Sequence, residues 1–128
     1  LYPHHLKDKS DCTLESFCEM VARTAELTGP GHLGIGSDLC QDQPDSVVEW
    51  MRTGRWTKQV DFGEGSADQP GFPPMPGWFR DNRDFGTIEA GLRAAGFSAA
   101  EVAGIMGDNW HRFFAESFGP ADTAAPAR

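Results

Sequence analysis

The chain has 128 residues, of which 39% are hydrophobic and 23% charged, and a formal net charge of −8; that is the size and balance of one folded domain. The acidic surplus, with no basic stripe, excludes a phosphate-backbone partner and hence nucleic acid. No apolar run approaches the roughly 20 residues that span a bilayer, so no membrane segment is expected.

The start, Leu1-Tyr2-Pro3, has neither the basic region nor the apolar stretch of a signal peptide. Leu1 to Leu6 reads as a short apolar and aromatic strand piece, with Pro3 at a strand end rather than a strand middle. The neighbouring His4 and His5 would point to opposite faces of an extended chain, so they do not converge on one ion. Cys12, Cys18 and Cys40 are odd in number and lack CxxC or zinc-finger spacing. They read as reduced thiols, as in a cytoplasmic protein.

Helical periodicity runs from Leu14 to Leu27, with Thr13 as its N-cap and an apolar face made by Leu14, Phe17, Cys18, Val21, Ala25 and Leu27. Gly29-Pro30 stops it. The run Leu33 to Ser37 then reads as a buried strand, which makes strand, helix, strand: a βαβ unit with two parallel neighbours. Gly34 and Gly36 are small where a backbone must approach something closely. Asp38 ends the strand, at the carboxyl edge where α/β folds carry their chemistry.

From Leu39 to about Phe85 regular pattern is scarce, apart from a helix over Ser46 to Arg52. The rest is rich in Gly, Pro and aromatics, including Trp56, Phe62, Phe72, Trp78 and Phe79. A connection this long is expected to be an active-site lid or an oligomer contact, because its aromatic content argues for order. Thr87 to Ala95 reads as a helix that Gly96 stops in the left-handed conformation. Ser98 and Glu101 form a capping box for a second helix carrying Val102, Ile105 and Met106. Gly107-Asp108-Asn109 interrupts it, and Asn109 caps a last helix through Trp110, Phe113, Phe114 and Phe118. The tail, 119–128, is expected to fray.

Taken alone, Asp38 has two readings. It accepts hydrogen bonds from loop amides, as turn aspartates do, or it moves a proton in hydrolysis. The wider pattern bears on the choice. LYP at the start, TLESF opening a helix, HLGIGSDL, and the succession GFS, EV, IMGDNW, RFF resemble the C-terminal third of the membrane (renal) dipeptidase family of zinc dipeptidases. The resemblance runs in order over Leu1 to Phe118 and is weakest in the middle. Many members of that family read GSDFDG where this chain has Gly36-Ser37-Asp38-Leu39-Cys40-Gln41.

That resemblance implies an α/β fold, the C-terminal portion of a (β/α)8 TIM barrel of the metal-dependent hydrolase type, incomplete by itself, with residues 1–118 in the barrel and 39–85 as its lid. It implies zinc-dependent hydrolysis of dipeptides by a longer parent chain. Asp38 would be the proton shuttle and Tyr2 would line the substrate pocket. Two zinc ions are implied, but their ligands in the family lie upstream of the region matched, so no metal ligand is expected among these residues. His32 is expected at the rim away from Asp38. The implied partners are a dipeptide substrate, the remainder of the barrel and, in a homo-oligomer, further copies of the chain. The alternative is a non-catalytic binding or assembly module on the same barrel architecture.

Overall fold

Helix α1, Leu14–Thr28, starts at a reciprocal cap: the Thr13 hydroxyl accepts from the Ser16 N–H at 3.1 Å, and the Ser16 hydroxyl accepts from the Thr13 N–H at 3.2 Å. Each bond satisfies a donor that the first turn of a helix leaves open. The helix ends at Gly29, whose φ of 80° suits glycine. It buries Phe17, Cys18 and Val21. Leu27, expected on that face, is 87% exposed; six residues beyond Val21 is about 120° round the helix, off the buried stripe.

The computed structural model describes residues 1–40, 42–53, 59–60, 62, 66–68 and 71–119. The further helices are α2, Asp45–Thr53; α3, Phe85–Ala94; α4, Ala99–Ala103; and α5, Asn109–Phe118. α3 buries Ile88 and Leu92 and lies so close to α1 that a β-carbon at Gly91 would fall 2.8 Å from the Cys18 Sγ and 2.9 Å from Leu14. Gly96 follows α3 with φ 95°, as read from the sequence. The Ser98–Glu101 capping box is present at α4. Val102 and Ile105 join Phe17, Cys18, Val21, Leu33, Phe79, Ile88 and Leu92 in one apolar core.

No sheet exists among the described residues, and 62% of the structure is helical. The expected α/β architecture, a portion of a (β/α)8 barrel, is therefore corrected to a small all-α domain. The two segments read as strands show why. Pro3–His5 turns into a single 3₁₀ turn with Pro3 at its start, where a fixed φ and a missing N–H are no handicap. Residues 33–36 lie beside Leu1, but the contact is two backbone bonds: Leu1 N to the Gly34 carbonyl at 2.8 Å and the Gly36 N–H to the Leu1 carbonyl at 2.9 Å. A two-bond contact does not build a sheet. Gly34 and Gly36 bring no side chains to pack around it.

The long connection contributes to the core at its far end. Pro76 and Phe79 are fully buried, and the Trp78 indole donates to the Cys12 carbonyl at 2.7 Å while its ring sits 5.4 Å from that of Phe17. That end of 39–85 is thus part of the interior; Trp56, in its middle, lies outside the described residues. So does the tail beyond Gly119.

Asn109 was expected to cap the last helix. It is instead the first residue of α5 and buried, and its amide donates to the Pro30 and Leu33 carbonyls, each at 2.8 Å. Its Oδ1 accepts from the Arg112 guanidinium at 3.2 Å. The turn before it, Gly104–Asp108, has a π-helical hydrogen-bond pattern with Gly107 outside helical geometry, and such a widened turn redirects the residue that follows. Trp110 and Arg112 extend the anchor by donating to the Ile35 and Gly31 carbonyls.

Replacing Asn109 with Leu keeps the branched shape but strands the buried Leu33 carbonyl, so Asn109→Leu is expected to cost about 1–3 kcal/mol, read from the urea midpoint. The Ser98 hydroxyl and then its N–H stabilise the Glu101 carboxylate and lower its pKa. A lowered folded-state pKa contributes stability that is present above the unfolded value, about 4.3, and lost as pH falls through the folded one. Glu101→Gln is therefore expected to lower Tm at pH 7 and to match the wild type once Glu101 is protonated in both states; melting curves at neutral and acid pH check this.

Candidate functional site

The extended segment from Leu33 delivers the chain to Asp38, which has φ 49°. The left-handed region is unfavourable for residues with a β-carbon, although Asp tolerates it better than most. Here the turn is fastened by Ser37, whose hydroxyl accepts from the Leu39 N–H at 3.4 Å. The Asp38 side chain is exposed, and among the described residues no donor is bonded to its carboxylate.

Asp38 opens into a cavity of about 290 Å³. Asp42 and Asp45 line one part of it, His4 and Arg80 are its basic groups, and Leu39, Phe72 and Met75 give it an apolar wall. Asp42 also has a left-handed backbone, φ 57°, so two of the three non-glycine residues in that conformation among the described residues lie on this one cavity. His4 is held from behind: its Nε2 is 3.4 Å from the Ser10 hydroxyl, which donates to the Pro74 carbonyl at 2.6 Å. Arg80 approaches the Asp84 carboxylate at 3.7 Å and is otherwise exposed. The cavity therefore offers carboxylates to a cation, a guanidinium to an anion and a hydrophobic surface between them.

Tyr2 does not line this cavity. Its ring packs edge-on against His5, with centroids 4.3 Å apart, and lies 5.8 Å from His4, through which it backs the cavity wall. His32 falls at the other end of the extended segment from Asp38, on a separate cavity with Asn109, Trp110 and Phe113. His111 is exposed on α5. The sequence reading did not connect His4, Asp42, Asp45 or Arg80 with Asp38. Asp42 and Asp45 follow it closely enough to have been suspected. Arg80 comes from the far end of the long connection and carries no local signal.

Among the described residues no group of three or more His, Cys, Asp or Glu side chains could hold a metal ion. The described residues thus do not by themselves form a zinc site. No helix among them is long and apolar enough to cross a membrane. No protein-family model, curated protein or solved structure matches the chain.

The cysteines are free and differ sharply in environment: Cys12 and Cys18 are buried, while Cys40 is exposed on the cavity rim. Burial pushes the Cys18 thiol up to about 11; burial and then the charge of Asp8 raise that of Cys12. Because the thiolate is the reactive form, a thiol reagent at pH 8 is expected to label Cys40 rapidly and the other two only after unfolding. Mass spectrometry of the native, briefly labelled chain checks the assignment, and rapid labelling of Cys12 or Cys18 would contradict the packed core.

Proposed function

We propose that this chain carries the acid–base carboxylate of a dipeptidase, and that Asp38 is that group. The observation that carries the reading is a carboxylate with no bonded donor among the described residues, held in a left-handed turn at the mouth of a charged cavity. A turn aspartate would be expected to accept loop N–H groups; in this turn Ser37 does so instead. The GIGSD and IMGDNW motifs, which resemble those of the zinc dipeptidases, supply the reaction class.

Hydrolysis adds water across a C–N bond. The Asp38 carboxylate takes one proton from the attacking water as its oxygen bonds to the carbonyl carbon. The same proton passes to the departing amine nitrogen as the C–N bond breaks, which leaves the carboxylate ionised for the next turn. Asp42 and Asp45 favour a substrate's free ammonium end, and Arg80 favours its carboxylate end. A short zwitterionic peptide meets both demands. The described residues offer no ligand set for the zinc ions that the resemblance implies, so the steps given are those of this chain's own groups.

In the zinc-loaded dipeptidase that contains this chain, Asp38→Asn is expected to lower kcat by about 10²–10⁴-fold with zinc content unchanged. An unaltered rate would sink the assignment. The 128-residue chain alone, with zinc added, is expected to release no amino acids from dipeptides. A second reading, an assembly module without catalysis, is favoured by the uncovered aromatic side chains of α5.

A further inference from the structure

The Ser10 hydroxyl decides which nitrogen of His4 is left for a ligand. A hydroxyl has one proton, and Ser10 gives it to the Pro74 carbonyl at 2.6 Å, 64 residues further along the chain. The longer contact, 3.4 Å between the Ser10 Oγ and the His4 Nε2, is therefore made with a ring proton: the Nε2–H donates and the hydroxyl oxygen accepts. A neutral imidazole carries a proton on one nitrogen alone. The neutral His4 ring is thus the Nε2–H tautomer, and its Nδ1 is an acceptor to which no donor is bonded among the described residues.

The surroundings hold the ring in place. His4 lies in the 3₁₀ turn Pro3–His5, closed by the Leu6 N–H donating to the Pro3 carbonyl at 3.0 Å, and the Tyr2 ring stands edge-on at 5.8 Å. Ser10 belongs to a second such turn, Lys9–Asp11, and Pro74 is part of the cavity wall. The bond that one histidine nitrogen makes sets what the other can do, and a binding group is precise when a second contact locks it.

A short zwitterionic peptide brings two kinds of donor to the cavity, its ammonium and its peptide N–H. Bonds between two ionised groups are the strong ones, so the Asp42 and Asp45 carboxylates take the ammonium and the Arg80 guanidinium takes the carboxylate end. The peptide N–H is left, and a neutral ring nitrogen accepts it without the desolvation of a charge. We propose that His4 Nδ1 accepts the N–H of the ligand's peptide bond and so orients the leaving nitrogen towards Asp38. The inference rests on the reading of this cavity as the substrate site. The N–H proton stays on nitrogen throughout, and the proton that completes the departing amine is the one that the Asp38 carboxylate carries.

Nuclear magnetic resonance of the whole chain at pH 8, above the usual range of histidine titration, tests the proposal in two stages. Long-range ¹H–¹⁵N spectra without ligand are expected to show His4 Nε2 protonated and Nδ1 bare; the opposite tautomer, or fast averaging of the two, would overturn it. Titration then compares glycylglycine with glycylsarcosine, in which a methyl group replaces the peptide hydrogen. His4→Phe keeps a ring beside Tyr2 and leaves the Ser10–Pro74 bond intact. It is expected to weaken glycylglycine by about three- to tenfold, the worth of one hydrogen bond, and to leave glycylsarcosine unchanged. An equal loss for both peptides would make His4 a wall rather than an acceptor and overturn the proposal. Arg80→Gln separates the two levels of failure. If it weakens both peptides while His4→Phe weakens neither, the cavity reading stands and the His4 bond is wrong. If neither peptide binds the wild type, the cavity reading fails and this inference with it.

Discussion

The fold depends on one buried amide. Asn109 joins α5 to the turn after α1 by donating to the carbonyls of Pro30 and Leu33; the Pro30 carbonyl also accepts from the Leu33 N–H, whereas among the described residues no backbone N–H reaches the Leu33 carbonyl. Buried backbone carbonyls nearly always find a partner, and leaving one without costs more than a made bond gains. The position of α5 is therefore set by hydrogen-bonding demand as much as by packing. With α5 in place the Trp110 indole lies against Gly34, where a β-carbon would fall 2.2 Å from its nitrogen. The extended segment that leads to Asp38 is thus pinned along its length by residues far from it in the chain.

What the sequence made legible were the local decisions. The Thr13 and Ser98 caps, the glycine stops at Gly29 and Gly96, and the break before α5 depend on a few neighbouring residues, and each is found in the structure. The strand reading failed because a strand is defined by its partners. Leu33 to Ser37 runs extended, but among the described residues only Leu1 pairs with it, and the opposite edge is taken by the side chains of Asn109 and Trp110. Periodicity cannot report that. Asn109 misled for a related reason: an asparagine at a helix start is usually a cap, and here carbonyls from another turn compete for the amide. The cavity was half legible, since Asp38 stood out while Arg80 and His4 reach it only through the folding of the chain.

The extended segment separates two surfaces of opposite character. Its far end opens on the acidic cavity, where charges gather, Asp38 among them. Its near end borders the second cavity and the aromatic face of α5, where apolar area dominates. Ionic groups and rings make different demands on a partner. The two ends of the segment therefore present different surfaces, one charged and one apolar, without sharing residues.

The contact between Leu1 and Gly34 has a bearing on how this domain can be joined to other polypeptide. Its donor is the terminal ammonium, 2.8 Å from the Gly34 carbonyl, and burial there lowers the pKa of that group. The geometry asks for an N–H and gains little from the charge. A peptide nitrogen at the same place would supply the N–H with no ion to desolvate. Fusion or extension through Leu1 is accordingly compatible with this hydrogen bond, and the first residue can serve as a seam as readily as an end.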